Sequence, residues 1–212
     1  YTPTHTLSLH DALPIYWPEV VESIECLRGE HNDTELMEVV IGLAGEMLAL
    51  GGVADSPAEG RTMAQSSVDD GSALDTLRTL VETQDGDVGV IDQPETRSGS
   101  EPVADVVAPE ELRGTISGID ALAIGYAAVD LGAGRRKKED PVDPTAGIVF
   151  NVSVGDTVEP GDVIARLYAQ DESRIDAAQS AVIDAFDTGE APARQPIIMD
   201  RYTVDGWARS AR

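Results

Sequence analysis

The chain has 212 residues, a formal net charge of −24 at pH 7 and an isoelectric point near 4.2, with 42% hydrophobic and 4% aromatic residues. That composition is globular and allows one or two domains with a core, while so acidic a surface repels phosphate backbones and anionic lipid and so argues against nucleic-acid and membrane-surface binding. A single cysteine, Cys26, and three histidines, His5, His10 and His31, leave no disulfide framework, no paired-cysteine metal site and almost nothing from which to build a Ser-His-Asp, Cys-His or histidine-zinc centre.

Residues 1–15, YTPTHTLSLHDALPI, lack an initiator Met and differ in composition from the residues after them. THTLSLHDALPI resembles the translated read-through of a sequencing adapter, so the segment is set aside as non-native and an upstream portion is expected to be missing. No stretch reaches the ~20 apolar residues of a membrane span, and the start lacks the basic and apolar regions of a signal peptide. A cytoplasmic protein is the expectation.

From Trp17 the pattern is helical. Val20, Val21, Ile24 and Leu27 follow Pro18 at helical spacing and stop at Gly29. Thr34 starts a longer helix carrying Leu36, Val39, Val40, Leu43, Met47, Leu48 and Leu50, ended by Gly51 and Gly52. Ser56, Pro57 and Glu59 spell a capping-box start, and Ser72 is expected to cap a fourth helix with Leu74, Leu77, Leu80 and Val81. Cys26 reads as a small buried apolar residue.

Residues 85–101 are rich in Asp, Gly, Ser and Pro and read as a mobile connection. Beyond it, residues 103–108, 114–119, 147–154 and 162–169 are short β-branched runs bounded by Gly and Pro, and helices are expected over 120–132 and 174–189. The predicted fold class is α+β: a helical block over 17–84, a linker over 85–101 and an α+β domain over 102–212 built on hairpins.

Two stretches invite a chemical reading. LGAGRRKKEDPVDP, residues 131–144, places Gly132 and Gly134 after a helix and before four basic residues. A phosphate-cradling glycine loop follows a strand and opens a helix, so here glycine caps with cations at the negative end of the dipole are the simpler account. VSVGDTVEPGDVIARLYA, residues 152–169, resembles the paired hairpins of biotinyl and lipoyl carrier domains. Those modules need a lysine at a turn tip, and the only lysines are Lys137 and Lys138 in the basic loop, so a packing scaffold is the stronger reading. The acidic pairs Asp69-Asp70 and Glu110-Glu111 read as solvated surface.

Taken together, ESIECLRGE (22–30), LAGEMLALGGVA (43–54) and residues 114–169, with the LGAGR-x-x-K-E-D-P-x-D-P-x-x-G run the most specific part, resemble the C-terminal part of the thymidine and pyrimidine-nucleoside phosphorylases. The resemblance covers residues 17–202. It implies a pentosyltransferase of nucleoside salvage: a pyrimidine nucleoside and inorganic phosphate become free base and pentose 1-phosphate. It also implies a homodimer formed through N-terminal helices. The family's Lys-His-Ser and Gly-rich phosphate segment, its Ser/Thr loop and its Arg and Ser-x-x-Lys pair on the base are not in this sequence and are expected upstream, so the chain itself is expected to hold no catalytic, phosphate-binding or substrate-binding residue and to be inactive alone. Transferred onto MLALGGVADSPAEG, the potassium site of some members would use the carbonyls of Leu48 and Gly51 with Glu59; helix packing, the helix cap and the capping box account for the same residues.

Two other functions stay open: a non-catalytic carrier-like or interaction module built on the GDTVEPGD hairpins, and an acidic structural protein without a small ligand. The helical block, which in the family packs on a sheet supplied from upstream, is expected to expose apolar surface.

Overall fold

The computed structural model describes residues 16–31, 34–97, 99–193, 196–203 and 206–209. Segment 1–15, with the adapter-like stretch, His5 and His10, lies outside the described residues. In chain order the elements are α1 (Trp17–Leu27), α2 (Glu35–Leu50), α3 (Pro57–Asp69), α4 (Ser72–Thr83), α5 (Gly89–Asp92), β1 (Ala104–Val107), β2 (Gly114–Ile119), α6 (Ala121–Leu131), β3 (Gly147–Phe150), β4 (Thr157–Val158), β5 (Val163–Tyr168), α7 (Ile175–Asp184), β6 (Phe186–Thr188), β7 (Asp200–Thr203) and β8 (Gly206–Arg209). The mixture of helices with small antiparallel sheets agrees with the α+β expectation. No helix among the described residues is long and apolar enough to cross a membrane.

The chain divides into two compact units: one takes the residues up to Val21 with Gln93–Pro192, the other takes Glu22–Asp92 with the segment from Ala193 onward. In the first, β1-β5-β3 and β4-β2-β6 form two three-stranded sheets whose pairings are all antiparallel. Ile116, Val158, Ile164, Leu167 and Val182 are fully buried at the centre of its core, and Phe150 and Phe186 meet as tilted rings 5.9 Å apart. Trp17 joins this unit. Its indole Nε1 donates to the Ser100 hydroxyl at 2.8 Å, its backbone N–H donates to the Pro144 carbonyl at 2.8 Å, and the Arg97 guanidinium lies 4.4 Å from the ring centroid.

In the second unit α2 crosses α3 at glycines. A Cβ on Gly45 would stand 2.7 Å from the Pro57 carbonyl oxygen and 2.8 Å from the Arg61 backbone nitrogen, so only glycine allows this approach. Thr34 caps α2, its hydroxyl accepting the Met37 N–H at 3.4 Å. Arg28 ties the end of α1 to α5, donating to the carbonyls of Ile91 at 2.6 Å and Asp92 at 3.0 Å. The β7–β8 hairpin carries an edge-on Tyr202–Trp207 pair with centroids 5.1 Å apart, and Arg201 beside it binds Glu46 of α2 at 2.7 Å.

The structure corrects several expected elements. Ser72 is not the cap of α4: Gly71 is, in the left-handed region at φ 81°, and the Asp70 carboxylate accepts the Ser72 N–H at 2.9 Å. Asp70 precedes a glycine that turns the chain, so the carboxylate and not the hydroxyl reaches the first free N–H. The helix expected over 174–189 stops at Asp184, because Phe186 turns into the core and pairs with Ile119 as a strand. Helical periodicity there gives way to tertiary pairing. The run expected as a strand over 147–154 is a strand only over Gly147–Phe150, with one further hydrogen bond from the Asn151 N–H to the Ile164 carbonyl at 3.0 Å. The connection at 85–101 contains α5 and a 3-10 turn at Pro94–Thr96, with Ile91 and Pro94 buried.

Candidate functional site

The basic loop begins as a helix end. Asp120 opens α6 by accepting the N–H groups of Leu122 and Ala123 at 2.9 and 3.1 Å, and Gly132 closes it in the left-handed region at φ 119°. Beyond the cap, Arg136 turns back onto the last turn, its Nε and Nη2 donating to the two Asp130 carboxylate oxygens at 2.6 and 2.7 Å. That hydrogen-bonded fork holds the Asp130 carboxyl below the ordinary carboxylate range. Asp140 then accepts the backbone N–H groups of Arg136 and Lys137 at 3.1 and 2.8 Å.

Asp143 fastens the far end of the loop. One carboxylate oxygen accepts both the N–H and the hydroxyl of Thr145, at 2.8 and 2.7 Å, and the other accepts the Gln170 N–H at 2.6 Å. Its own N–H donates to the Gly132 carbonyl at 3.0 Å, so the cap of α6, the loop and the end of β5 meet at one residue. Burial raises the Asp143 pKa, but the hydrogen bonds it accepts outweigh this and its net shift is downward. The run LGAGRRKKEDPVDPTAG is therefore a folded connection in which Asp130, Arg136, Asp140 and Asp143 hold its shape. Arg135, Lys137 and Lys138 are exposed.

The Gly-Asp hairpins are a repeated turn. In SVGD and again in EPGD, the aspartate carboxylate accepts the N–H three residues back, Asp156 from Ser153 and Asp162 from Glu159, each at 2.8 Å. Gly155 and Gly161 sit at φ 100° and 98° and donate their N–H groups to the carbonyls of Ile116 and Ala108 at 2.8 and 2.9 Å. Both turns are stitched to other strands of the same unit, and neither carries a lysine.

Of the residues expected at a potassium site, Leu48 and Gly51 end α2 and Glu59 begins α3. The Leu48 carbonyl accepts the N–H groups of Val53 and Ala54 at 2.9 and 3.2 Å, and the Gly51 N–H caps onto the Met47 carbonyl at 2.9 Å. Ser56 accepts the Glu59 N–H at 3.2 Å, while a Glu59 carboxylate oxygen accepts the Asp55 N–H at 2.8 Å, one residue earlier than in the usual capping box. Those two N–H groups occupy both lone pairs of the Leu48 carbonyl oxygen, so an ion there would have to displace one of them.

The remaining titratable groups are dispersed. Burial, then the charges of Glu22 and Glu25, pushes the Cys26 thiol up, the direction opposite to that of an activated thiolate. His31 Nε2 lies 2.9 Å from a Glu25 carboxylate oxygen. Asp69 accepts from the Gln65 amide at 2.9 Å, and Glu110 and Glu111 are exposed. Among the described residues no three His, Cys, Asp or Glu side chains converge to hold a metal. The β7–β8 hairpin and β4 were not anticipated, although Asp205-Gly206 between Tyr202 and Trp207 is a short-range hairpin signal.

Comparison with known proteins gives a consistent answer. Residues 115–188 match the model of the pyrimidine nucleoside phosphorylase C-terminal domain. The chain is 33% identical over 181 residues to a pyrimidine-nucleoside phosphorylase of Geobacillus stearothermophilus, covering 85% of this chain and 41% of that protein. It is 32% identical over 187 residues to a pyrimidine-nucleoside phosphorylase of Staphylococcus haemolyticus, 88% of this chain and 42% of that protein, and 30% identical over 186 residues to a thymidine phosphorylase of Sinorhizobium fredii, 87% and 42%. The chain thus spans about two fifths of the length of the curated relatives it matches.

Proposed function

The C-terminal region of this chain belongs to the pyrimidine-nucleoside and thymidine phosphorylase family, and on that premise we propose that the chain frames the phosphorolysis of a pyrimidine nucleoside without itself supplying the reacting groups. The carrying observation is a similarity over 85% of the chain that accounts for only 41% of the relative, joined to Asp130, Asp143 and Asp162, whose carboxylates hold a helix end and two turns.

In the proposed reaction a phosphate oxygen attacks C1 of the pentose while the bond from C1 to the pyrimidine nitrogen breaks, and its electron pair leaves with the base. Catalysis then consists of holding phosphate beneath the sugar and stabilising charge on the departing ring, which is positioning and electrostatics. This chain's part is mechanical: the unit built on residues 93–192 supplies a rigid packed body, and α2 to α4 supply helical layers. Inorganic phosphate and a pyrimidine nucleoside are ligands of the whole enzyme, which the same reading makes a cytoplasmic homodimer acting in nucleoside salvage.

Potassium at Leu48, Gly51 and Glu59 is part of the same proposal. There the Leu48 carbonyl would exchange one of its N–H donors for the ion, and Glu59 would bind through the oxygen that does not hold Asp55. The contribution would be to fix the turn between α2 and α3. Co-expression with the upstream portion of the Geobacillus stearothermophilus enzyme tests the reading: phosphate-dependent consumption of uridine or thymidine is expected from the pair, and its absence would count against it.

A further inference from the structure

The chain leaves the helical unit after Asp92 and rejoins it from Ala193 onward, so the β7–β8 hairpin belongs to helices far upstream of it. Two contacts make the attachment to α2. Just before β7, the tip of the Ile198 side chain occupies the place that a Cβ on Gly42 would take, with Ile198 Cγ1 3.7 Å and Arg61 Nη2 of α3 3.9 Å from that point. Gly42 lies inside α2 without a positive φ, so its missing side chain serves space and not backbone conformation. One turn along the same face, Glu46 Oε1 lies 2.7 Å from Arg201 Nε of β7.

The attachment is narrow. Met199, Tyr202 and Trp207 are each 70% exposed or more, so the hairpin turns much of its apolar surface to solvent. A two-stranded hairpin alone is marginal in water, and β7–β8 therefore depends on Ile198 and Arg201 to stay folded on α2. The ion pair is partly open to solvent, with the Arg201 side chain 47% and the Glu46 side chain 25% exposed, and salt weakens such a pair. Salt acts oppositely on the chain as a whole, because screening relieves the self-repulsion that accompanies a net charge of −24.

We infer that Ile198 and the β7–β8 hairpin form a releasable strap. The strap is plugged into the Gly42 notch by Ile198 and latched by Arg201 on Glu46, and it opens as a unit, ahead of the helices beneath it, when ionic strength rises. Opening uncovers the α2 face beside Arg61 while the Gly45–Gly60 crossing stays closed. The device goes beyond the proposed reaction and holds whatever chemistry the whole enzyme performs.

Hydrogen exchange of the full chain, read by mass spectrometry, tests it: the amides of β7 and β8 are compared with those of α2 and α3 at about 0.05 and about 0.5 M salt. The hairpin amides are expected to exchange at least twofold faster in high salt, while those of α2 and α3 do not accelerate. Glu46→Gln should produce that acceleration already in low salt and abolish the further salt response, whereas Glu38→Gln, which removes the same charge from the same helix, should behave as wild type. Ile198→Ala should speed hairpin exchange in both salts and keep the salt response. Hairpin amides that exchange in step with α2 and α3, a hairpin indifferent to salt or to Ile198→Ala, or equal behaviour of Glu46→Gln and Glu38→Gln would each overturn the inference.

Discussion

Gly60 of α3 lies directly against Gly45 of α2: a Cβ on Gly60 would clash with the Gly45 carbonyl oxygen and come within 2.9 Å of its Cα. Backbone cannot yield as a side-chain end can, so Gly60→Ala is expected to force the helices apart and cost about 1–3 kcal/mol. The opposite sign is expected at Gly125, an exposed position inside α6 where an added Cβ meets nothing within 4 Å. Gly125→Ala should stabilise by roughly 0.5–1 kcal/mol through helix propensity. Urea unfolding of both variants checks the pair, and a neutral Gly60→Ala would refute the crossing.

Asp143 joins the cap of α6, its own loop and the end of β5. Asp143→Ala should cost about 2 kcal/mol, because the Gln170 N–H and Thr145 lose their acceptor together. Arg136→Ala, which removes a fork between two exposed groups, should cost less than about 1 kcal/mol. If the two variants melt alike, the assignment of Asp143 as the fastening point is wrong.

The depressed carboxylates set the acid limit. The Arg136 hydrogen bonds to Asp130, the Ser173 hydrogen bonds to Asp171 and the net effect of accepted hydrogen bonds over burial at Asp143 all lower the folded pKa. A group with a lowered folded pKa contributes stability that is present above its unfolded value, about 3.9 for Asp, and lost as pH falls through the folded value. Tm should therefore be flat from these groups at neutral pH and fall below about pH 4. Asp143→Asn should flatten part of that acid limb; a limb unchanged by the variant would remove Asp143 from the account.

Potassium has a simple assay. At equal ionic strength the proposed site predicts a higher Tm in KCl than in NaCl, and the difference should disappear in Glu59→Gln. Identical melting in the two salts would leave Leu48, Gly51 and Glu59 to the helix cap and the capping box.

Much of the fold was legible because local chemistry decided it. Thr34, Ser56 and Asp120 cap the helices they were expected to begin, and the four β-branched runs became β1, β2, β3 and β5. Gly132 closes α6 as the order helix, glycine, cation implied. The hidden features depend on distant partners. Phe186 looks helical until Ile119 is there to pair with it, and the choice of Asp70 over Ser72 depends on the turn at Gly71. The structural use of Asp143 was hidden in a run read for its cations, since its partners Thr145 and Gln170 are brought together only by the fold.

The most direct measurement is phosphate-dependent loss of uridine and thymidine absorbance, made on the purified 212-residue chain and on its fusion behind the unmatched portion of the relative. No turnover by the chain and clear turnover by the fusion is the predicted result. Phosphate-dependent turnover by the chain alone would contradict the account, and would make the exposed Arg135, Lys137 and Lys138 the first groups to replace.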